Sequence, residues 1–151
     1  MVETTEHIIN NSIESDYSKS ISLEHRKRFA QFFTPFSIAN AMAKWILGNK
    51  QLKTVLEPAF GLGVFSRAIL SQNKEINIKG FEVDETIFGN AKEYFDDFEN
   101  VNLHLQDYMY NDWKNKYDGI ICNPPYFKFH DYDNKNILKE YIYIYINKNI
   151  I

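Results

Sequence analysis

Cysteine is nearly absent from this sequence: Cys122 is the one thiol in 151 residues. That excludes a disulfide framework and suits a reducing compartment. Long apolar runs are missing as well, and nothing approaches the ~20 consecutive apolar residues of a membrane helix. The opening residues 1–16 are polar and acidic, without the apolar centre of a secretion signal. These absences point to a cytoplasmic chain with no membrane partner. Excess positive charge is also lacking, since 17 Lys and Arg face 20 Asp and Glu for a net charge of -3. Bulk electrostatics therefore do not advertise a nucleic-acid partner. The one basic cluster, His25-Arg26-Lys27-Arg28, reads as the solvated face of a short helix, with phosphate contact as the alternative.

What remains is an ordinary globular composition, 44% hydrophobic and 25% charged, with an aromatic share of 16%. The length suits one domain with a substantial core. The most informative stretch is residues 117–126. A short apolar run over 117–122 stops at Asn123-Pro124-Pro125-Tyr126. Such a run bounded by turn signals describes a buried parallel strand. Two prolines cannot donate to a ladder, so the strand ends there. Asn123 then lies just past the carboxyl end of a strand, the edge where open α/β sheets bind ligands. An amide, the carbonyl of Pro124 and the ring of Tyr126 could hold a planar heterocycle bearing an amino group. A plain strand-to-loop stop is the alternative. Cys122, inside the same run, reads as a small core hydrophobe.

The rest of the chain falls into alternating elements. Residues 1–20 show no clear period and are expected to fray. A short basic helix is expected over 23–29. Thr34 is placed as a helix N-cap with Pro35 as the first helical residue. Apolar residues at helical spacing follow from Phe36 to Ile46, and Gly48 closes that helix. Strands are expected over 54–57, 76–82, 101–106 and 117–122, with helices over 64–70 and 85–95. This alternation predicts a doubly wound, Rossmann-like α/β domain with a parallel sheet. Right-handed crossovers place all four strand ends on one rim. Glu57, Glu82, Asp107 and Asn123 occupy those ends, and four polar termini in register say more than any one of them. The domain division is an N-terminal extension over 1–28, a core over 29–136 and a tail over 137–151. From Tyr141 onward the tail uses only Tyr, Ile, Asn and Lys, residues that codons of A and T alone can encode. It reads either as an edge strand or as the product of a frameshift, and the frameshift is preferred, making the sheet incomplete.

The rim suggests a ligand. After the first strand comes Glu57-Pro58-Ala59-Phe60-Gly61-Leu62-Gly63. Glycines at a strand-to-helix turn let a ligand approach the backbone. The third glycine of the dinucleotide fingerprint is missing, and no Lys-Ser/Thr pair makes a Walker loop. Glu57 sits where a pyrophosphate would otherwise lie, which favours a cation. Glu82 lies about 20 residues past the glycines, where a carboxylate accepts ribose hydroxyls. A ribonucleoside with a positive centre and no phosphates fits, and S-adenosyl-L-methionine meets that description. Asp107 is placed to accept from its adenine amine. Surface solvation is the alternative for each carboxylate taken alone.

These residues together carry a family resemblance. Gln31-Phe32-Phe33-Thr34-Pro35, Glu57 to Gly63, Phe81-Glu82-Val83-Asp84, Gln106-Asp107-Tyr108 and Asn123 to Tyr126 occur in order. The chain resembles the amino-terminal part of a class I S-adenosylmethionine-dependent DNA adenine-N6 methyltransferase of the restriction–modification type. The likeness covers roughly residues 28–129. It implies that Asn123 and Pro124 accept hydrogen bonds from a flipped adenine and that Tyr126 stacks on it. It implies that Thr34 and Glu57 contact the methionine end of the cofactor and Glu82 the ribose. Val83, Asp107 and Tyr108 would contact its adenine, with Pro58, Ala59, Gly61 and Gly63 forming the turn beneath. No metal is implied. Double-stranded DNA is the implied partner, through a recognition region that has no counterpart here. The family's later strands are likewise missing, so the chain alone is expected to be inactive unless a complementing chain is supplied. A non-catalytic split half, or a protein-glutamine or ribosomal-RNA methyltransferase, are the competing readings.

Overall fold

The computed structural model describes residues 13–110 and 114–125. Three helices come first: α1 (Ile13–Ser20), α2 (Leu23–Arg28) and α3 (Phe36–Ile46). Then strands and helices alternate: β1 (Thr54–Glu57), α4 (Val64–Leu70), β2 (Asn77–Glu82), α5 (Glu85–Tyr94), β3 (Val101–Leu105) and β4 (Gly119–Ile120). A 3-10 turn, Tyr108–Tyr110, follows β3. The strands form one parallel sheet in the order β3-β2-β1-β4. The α/β class with a parallel sheet is therefore as expected. The chain winds outward from β1 to β3, then returns to the opposite side of β1. The winding reverses between β1 and β4, and a crevice opens at such a point, beyond the carboxyl ends of the strands.

Burial explains why these segments are strands. Val55, Leu56 and Glu57 of β1 are fully buried, as a central strand covered on both sides requires. Ile78 and Phe81 of β2 join Ala39, Ala43 and Ile46 of α3 and Ala68, Ile69 and Leu70 of α4 among the buried residues. The small alanines let α3 lie close against α4. At the far end of the sheet, Asp118 accepts from the backbone N–H groups of Lys53 and Thr54 at 2.9 and 2.8 Å. These bonds hold the start of β4 beside the start of β1 and keep the Asp118 carboxyl below its usual range.

Four local expectations are corrected. Residues 13–20 are helical rather than frayed. The missed signal is Ile13, Tyr17 and Ile21 at i, i+4, i+8 spacing, which face Leu62, Ile87 and Phe33. Thr34 does not cap α3. Pro35 occupies the cap position without a side-chain hydrogen bond. Gly48 closes nothing through a left-handed turn, since the positive-φ glycines are Gly61 and Gly63. Leu47 ends α3 in ordinary helical geometry, its N–H bonded to Ala43 O at 3.0 Å. The fourth strand is only Gly119–Ile120, and Ile120 is 60% exposed. Its one neighbour among the described residues is β1, so the expected burial on both sides is not realised. Cys122 accordingly lies past the strand and is half-buried, not in the core. Burial pushes its thiol upward, away from a reactive thiolate. No helix among the described residues is long and apolar enough to cross a membrane. Tyr126 and the tail over 137–151 lie outside the described residues.

Candidate active site

A cavity of about 670 Å³ opens at the carboxyl rim of the sheet. That is an ordinary size for a small-molecule site. Thr34, Glu57, Pro58, Ala59, Gly61, Glu82, Val83, Asp107, Tyr108, Asn123 and Pro124 all line it. Segments separated by 89 positions in sequence thus meet at one void. Of the residues singled out from the sequence, Gly63 is outside the lining and Tyr126 is not described.

The two glycines of the turn have different duties. Gly61 has φ 55 and nothing within 4 Å of where a Cβ would stand. Its bare backbone faces open cavity, as close approach of a ligand needs. Gly63 has φ 70, and a Cβ there would stand 2.5 Å from both Phe60 and Phe95 ring carbons. Its smallness serves packing beneath the turn. Gly63→Ala is expected to destabilise the fold by about 1–3 kcal/mol through strain and overpacking. Denaturant unfolding checks this, and an unchanged midpoint would contradict it.

Glu57 ends β1 with its side chain fully buried. One oxygen accepts from Ser66 N at 3.1 Å and Ser66 Oγ at 2.5 Å. The other oxygen, Oε1, is buried with no partner among the described residues. Burial pushes the carboxyl up to about 8, against the downward pull of the Ser66 bonds and the Arg67 charge. An orphaned buried carboxylate oxygen at a cavity wall is a place for a cation or a strong donor.

Glu82 ends β2 and is held by the backbone. Its Oε2 accepts from Gly61 N at 2.8 Å, and its Oε1 from Val83 N and Asp84 N at 2.8 and 2.9 Å. A carboxylate has about four acceptor sites, so capacity remains for a hydroxyl. Burial raises its pKa, opposed first by the bond from Asp84 N–H. Asp107 follows β3 and accepts from Met109 N at 2.9 Å, bracing the 3-10 turn. That turn sets the Tyr108 ring edge-on to Phe81, with centroids 5.2 Å apart.

Asn123 lies beyond β4, and its Nδ2 donates to Thr34 Oγ1 at 3.1 Å. Thr34 therefore spends its hydroxyl on Asn123 rather than on a helix cap. The amide nitrogen faces Thr34. Pro124 contributes a carbonyl but no N–H, so the pair is rich in acceptors.

The sequence reading named Thr34 and the motif Gln31 to Pro35 but missed that the whole strap lines the cavity. All six residues 29–34 line it. The strap leaves α2 through Ala30, whose φ is 46. Gln31 N bonds Arg26 O at 2.9 Å and Ala30 N bonds Lys27 O at 3.2 Å, the pattern of a Schellman turn. That turn normally takes glycine at its left-handed position. Ala30→Gly is thus expected to stabilise the fold by about 0.5–1 kcal/mol, read from the thermal midpoint. A fall in the midpoint would count against this account of the turn. Arg67, fully buried on α4, was also missed. It pairs with Glu14 of α1 and fixes that helix beside the cavity.

Comparisons with known proteins agree with this geometry. The family model for the methyltransferase small domain matches residues 40–143. The chain is 91% identical over 140 residues to the Type II methyltransferase M.AccI of Acinetobacter calcoaceticus, covering 93% of this chain and 26% of that protein. It is 32% identical over 151 residues to the Type II methyltransferase M.HincII of Haemophilus influenzae, again covering 26% of the relative and 90% of this chain. The chain thus spans about a quarter of the length of the curated relatives it matches. A putative RNA methyltransferase from Pyrococcus horikoshii shares the fold, with a TM-score of 0.56 at 24% identity over 74% of this chain and 58% of that one. Parallel sheet, glycine turn, carboxylates at the strand ends and matching family model agree: this chain belongs to the methyltransferase small domain family.

Proposed function

We propose that the chain forms the cofactor-binding and catalytic part of a cytoplasmic, S-adenosylmethionine-dependent methyltransferase that methylates the N6 amine of adenine in duplex DNA. The observation that carries this reading is one cavity holding both halves of the chemistry. Glu57 and Glu82 stand at the ends of β1 and β2, and Asn123-Pro124 stands beyond β4. The resemblance of the sequence motifs to the DNA enzymes, and the names of its Type II relatives, give the substrate class.

The residues fit the cofactor. Glu57 offers a buried, unpartnered oxygen to an ammonium group. Glu82 offers remaining acceptor capacity to ribose, and Gly61 leaves the turn open. Tyr108 and Val83 offer apolar surface to adenine, and Asp107 an acceptor. When bound, S-adenosylmethionine supplies an electrophilic methyl group. The protein's part is positioning: Asn123 Oδ1 and the Pro124 carbonyl accept from the amine, draw its lone pair out of conjugation and aim it. Flipping the base into the cavity costs a few kcal/mol, which DNA contacts must supply. The described residues offer one basic run for this, Arg26 to Arg28. Sequence-specific reading of DNA is therefore assigned to protein outside these residues, in the same polypeptide or in a complementing chain.

Calorimetric titration tests the cofactor half. The chain is expected to bind S-adenosylmethionine. Glu82→Ala is expected to weaken binding about tenfold or more, the size of a lost charge-assisted hydrogen bond, and Gly61→Val to weaken it as much by filling the open cavity beside the turn. Unchanged affinity in both variants would show that the pocket is misassigned. Methyl transfer assayed on duplex DNA, ribosomal RNA and protein, using this segment grafted into its Acinetobacter relative, tests the substrate half. Product on RNA or protein but not on DNA would overturn it.

A further inference from the structure

The buried carboxylate of Asp84 has no assigned part in the site above, yet it has three hydrogen-bond partners, as many as Glu82. It is 2% exposed, directly after β2. Its Oδ1 accepts from Thr86 N at 3.0 Å and caps α5. Its Oδ2 takes two donors from another part of the chain: His25 Nε2 at 2.6 Å and Gln31 Nε2 at 2.5 Å. His25 lies on α2 and Gln31 in the strap, so both bonds span more than fifty residues of sequence. They enclose Ala30, the strained turn. The backbone N–H of Asp84 meanwhile donates to Glu82 Oε1 at 2.9 Å.

We propose that Asp84 is a positioning residue: it latches the strap over the cofactor cavity through Gln31 and His25, while its N–H orients Glu82. The inference rests on the cavity being the S-adenosylmethionine site. Three physical arguments support it. A left-handed alanine persists only where its surroundings over-determine it, and the two side-chain bonds to Asp84 flank that residue. A buried carboxylate without donors would be costly, so the strap's docking and the burial of Asp84 depend on one another. The far end of the strap is tied to Asn123 by Thr34. Latch and strap therefore join the ribose carboxylate at one end to the catalytic amide at the other.

The latch acts through hydrogen bonds of defined direction, which gives a sharp test. In Asp84→Asn the amide oxygen still caps α5, because Asn and Asp are equivalent caps. The amide nitrogen then faces the Gln31 nitrogen, donor against donor. Gln31→Glu alone sets two carboxylates face to face. Combined, the two changes restore the bond with its direction reversed. Two readouts on the 151-residue chain decide the matter: S-adenosylmethionine affinity, and hydrogen exchange of the amides of residues 29–31. Each single variant is expected to weaken binding about tenfold and to speed exchange at least as much, and the double variant to recover most of both. Wild-type affinity and exchange in Asp84→Asn would overturn the latch. So would a double variant that stays as weak as the singles at an unchanged melting temperature. If the wild-type chain binds no S-adenosylmethionine at all, the cofactor reading fails by itself, and the exchange measurements on ligand-free protein still decide the latch.

Discussion

Replacing Asn123 by alanine is expected to cut methyl transfer to DNA by about a hundredfold or more while leaving S-adenosylmethionine affinity within about threefold. The magnitude is that of removing one preorganised polar group aimed at a reacting centre. The split between the two readouts follows from geometry. Glu57 and Glu82 stand at the ends of β1 and β2, on what is proposed as the cofactor side of the cavity. Asn123 stands beyond β4, with its amide nitrogen already bonded to Thr34 Oγ1. Alanine removes the proposed acceptor for the adenine amine and the bond to Thr34 Oγ1, but leaves the proposed cofactor contacts of Glu57 and Glu82 in place. The graft of this segment into its Acinetobacter relative provides a full-length enzyme for single-turnover measurement, and calorimetry gives the affinity. A variant that lost cofactor binding while its bound fraction turned over normally would contradict the assignment. Thr34→Val should follow Asn123→Ala in direction with a smaller effect, because it removes one bond that orients the amide without removing the amide.

Glu57→Gln is expected to abolish a proton release that accompanies cofactor binding. Burial pushes Glu57 up to about 8, so roughly nine-tenths of the ligand-free protein holds it protonated at pH 7. A cation brought to its unpartnered Oε1 favours the charged form and lowers its pKa by about 1–3 units. Binding at pH 7 should thus release roughly 0.4–0.9 of a proton, measurable by calorimetry in buffers of different ionisation enthalpy. Affinity in the wild type should rise with pH between about 5 and 8. In Glu57→Gln it should be about tenfold weaker at pH 8 and flat across that range. Stability moves in the opposite sense. The folded value lies above the ordinary 4.5, so Glu57's favourable contribution is complete below about 4.5 and is lost as pH rises through about 8. Ligand-free Glu57→Gln should therefore outlast the wild type in thermal melts at pH 9. Cofactor binding with no proton release, and with the same pH dependence in both proteins, would place the cation elsewhere.

Asp107 and Gly63 show where reading residues one at a time falls short. Both stand in the expected motifs, yet Gly63 meets the rings of Phe60 and Phe95, and Asp107 braces a 3-10 turn as well as lining the cavity. Motif spacing marks which residues matter. It does not separate a contact to ligand from a contact that holds the scaffold. α1 makes a related point. Three apolar residues at i, i+4, i+8 among nine positions are too weak a period to announce a helix, and the segment folds because Tyr17 and Glu14 find Leu62 and Arg67.

Local order was determined by the sequence alone. The alternation of short apolar or alternating runs with helical periods pointed to an α/β domain with parallel strands. The glycines after β1 marked a sharp turn readable without coordinates, whereas β4 ends at Ile120, short of the stop expected at Asn123 and the prolines. The polar residue at each strand end was legible for the same reason, and with it most of the cavity wall. Only the tertiary structure decided that Thr34 binds Asn123, that Asp84 holds His25 and Gln31, and that Glu57 keeps one oxygen unpartnered. Those pairings join residues more than fifty positions apart, and no periodicity records them. They arise when the crossovers bring strand ends and the strap to one rim, where a buried polar atom must take whatever partner the packing leaves within reach.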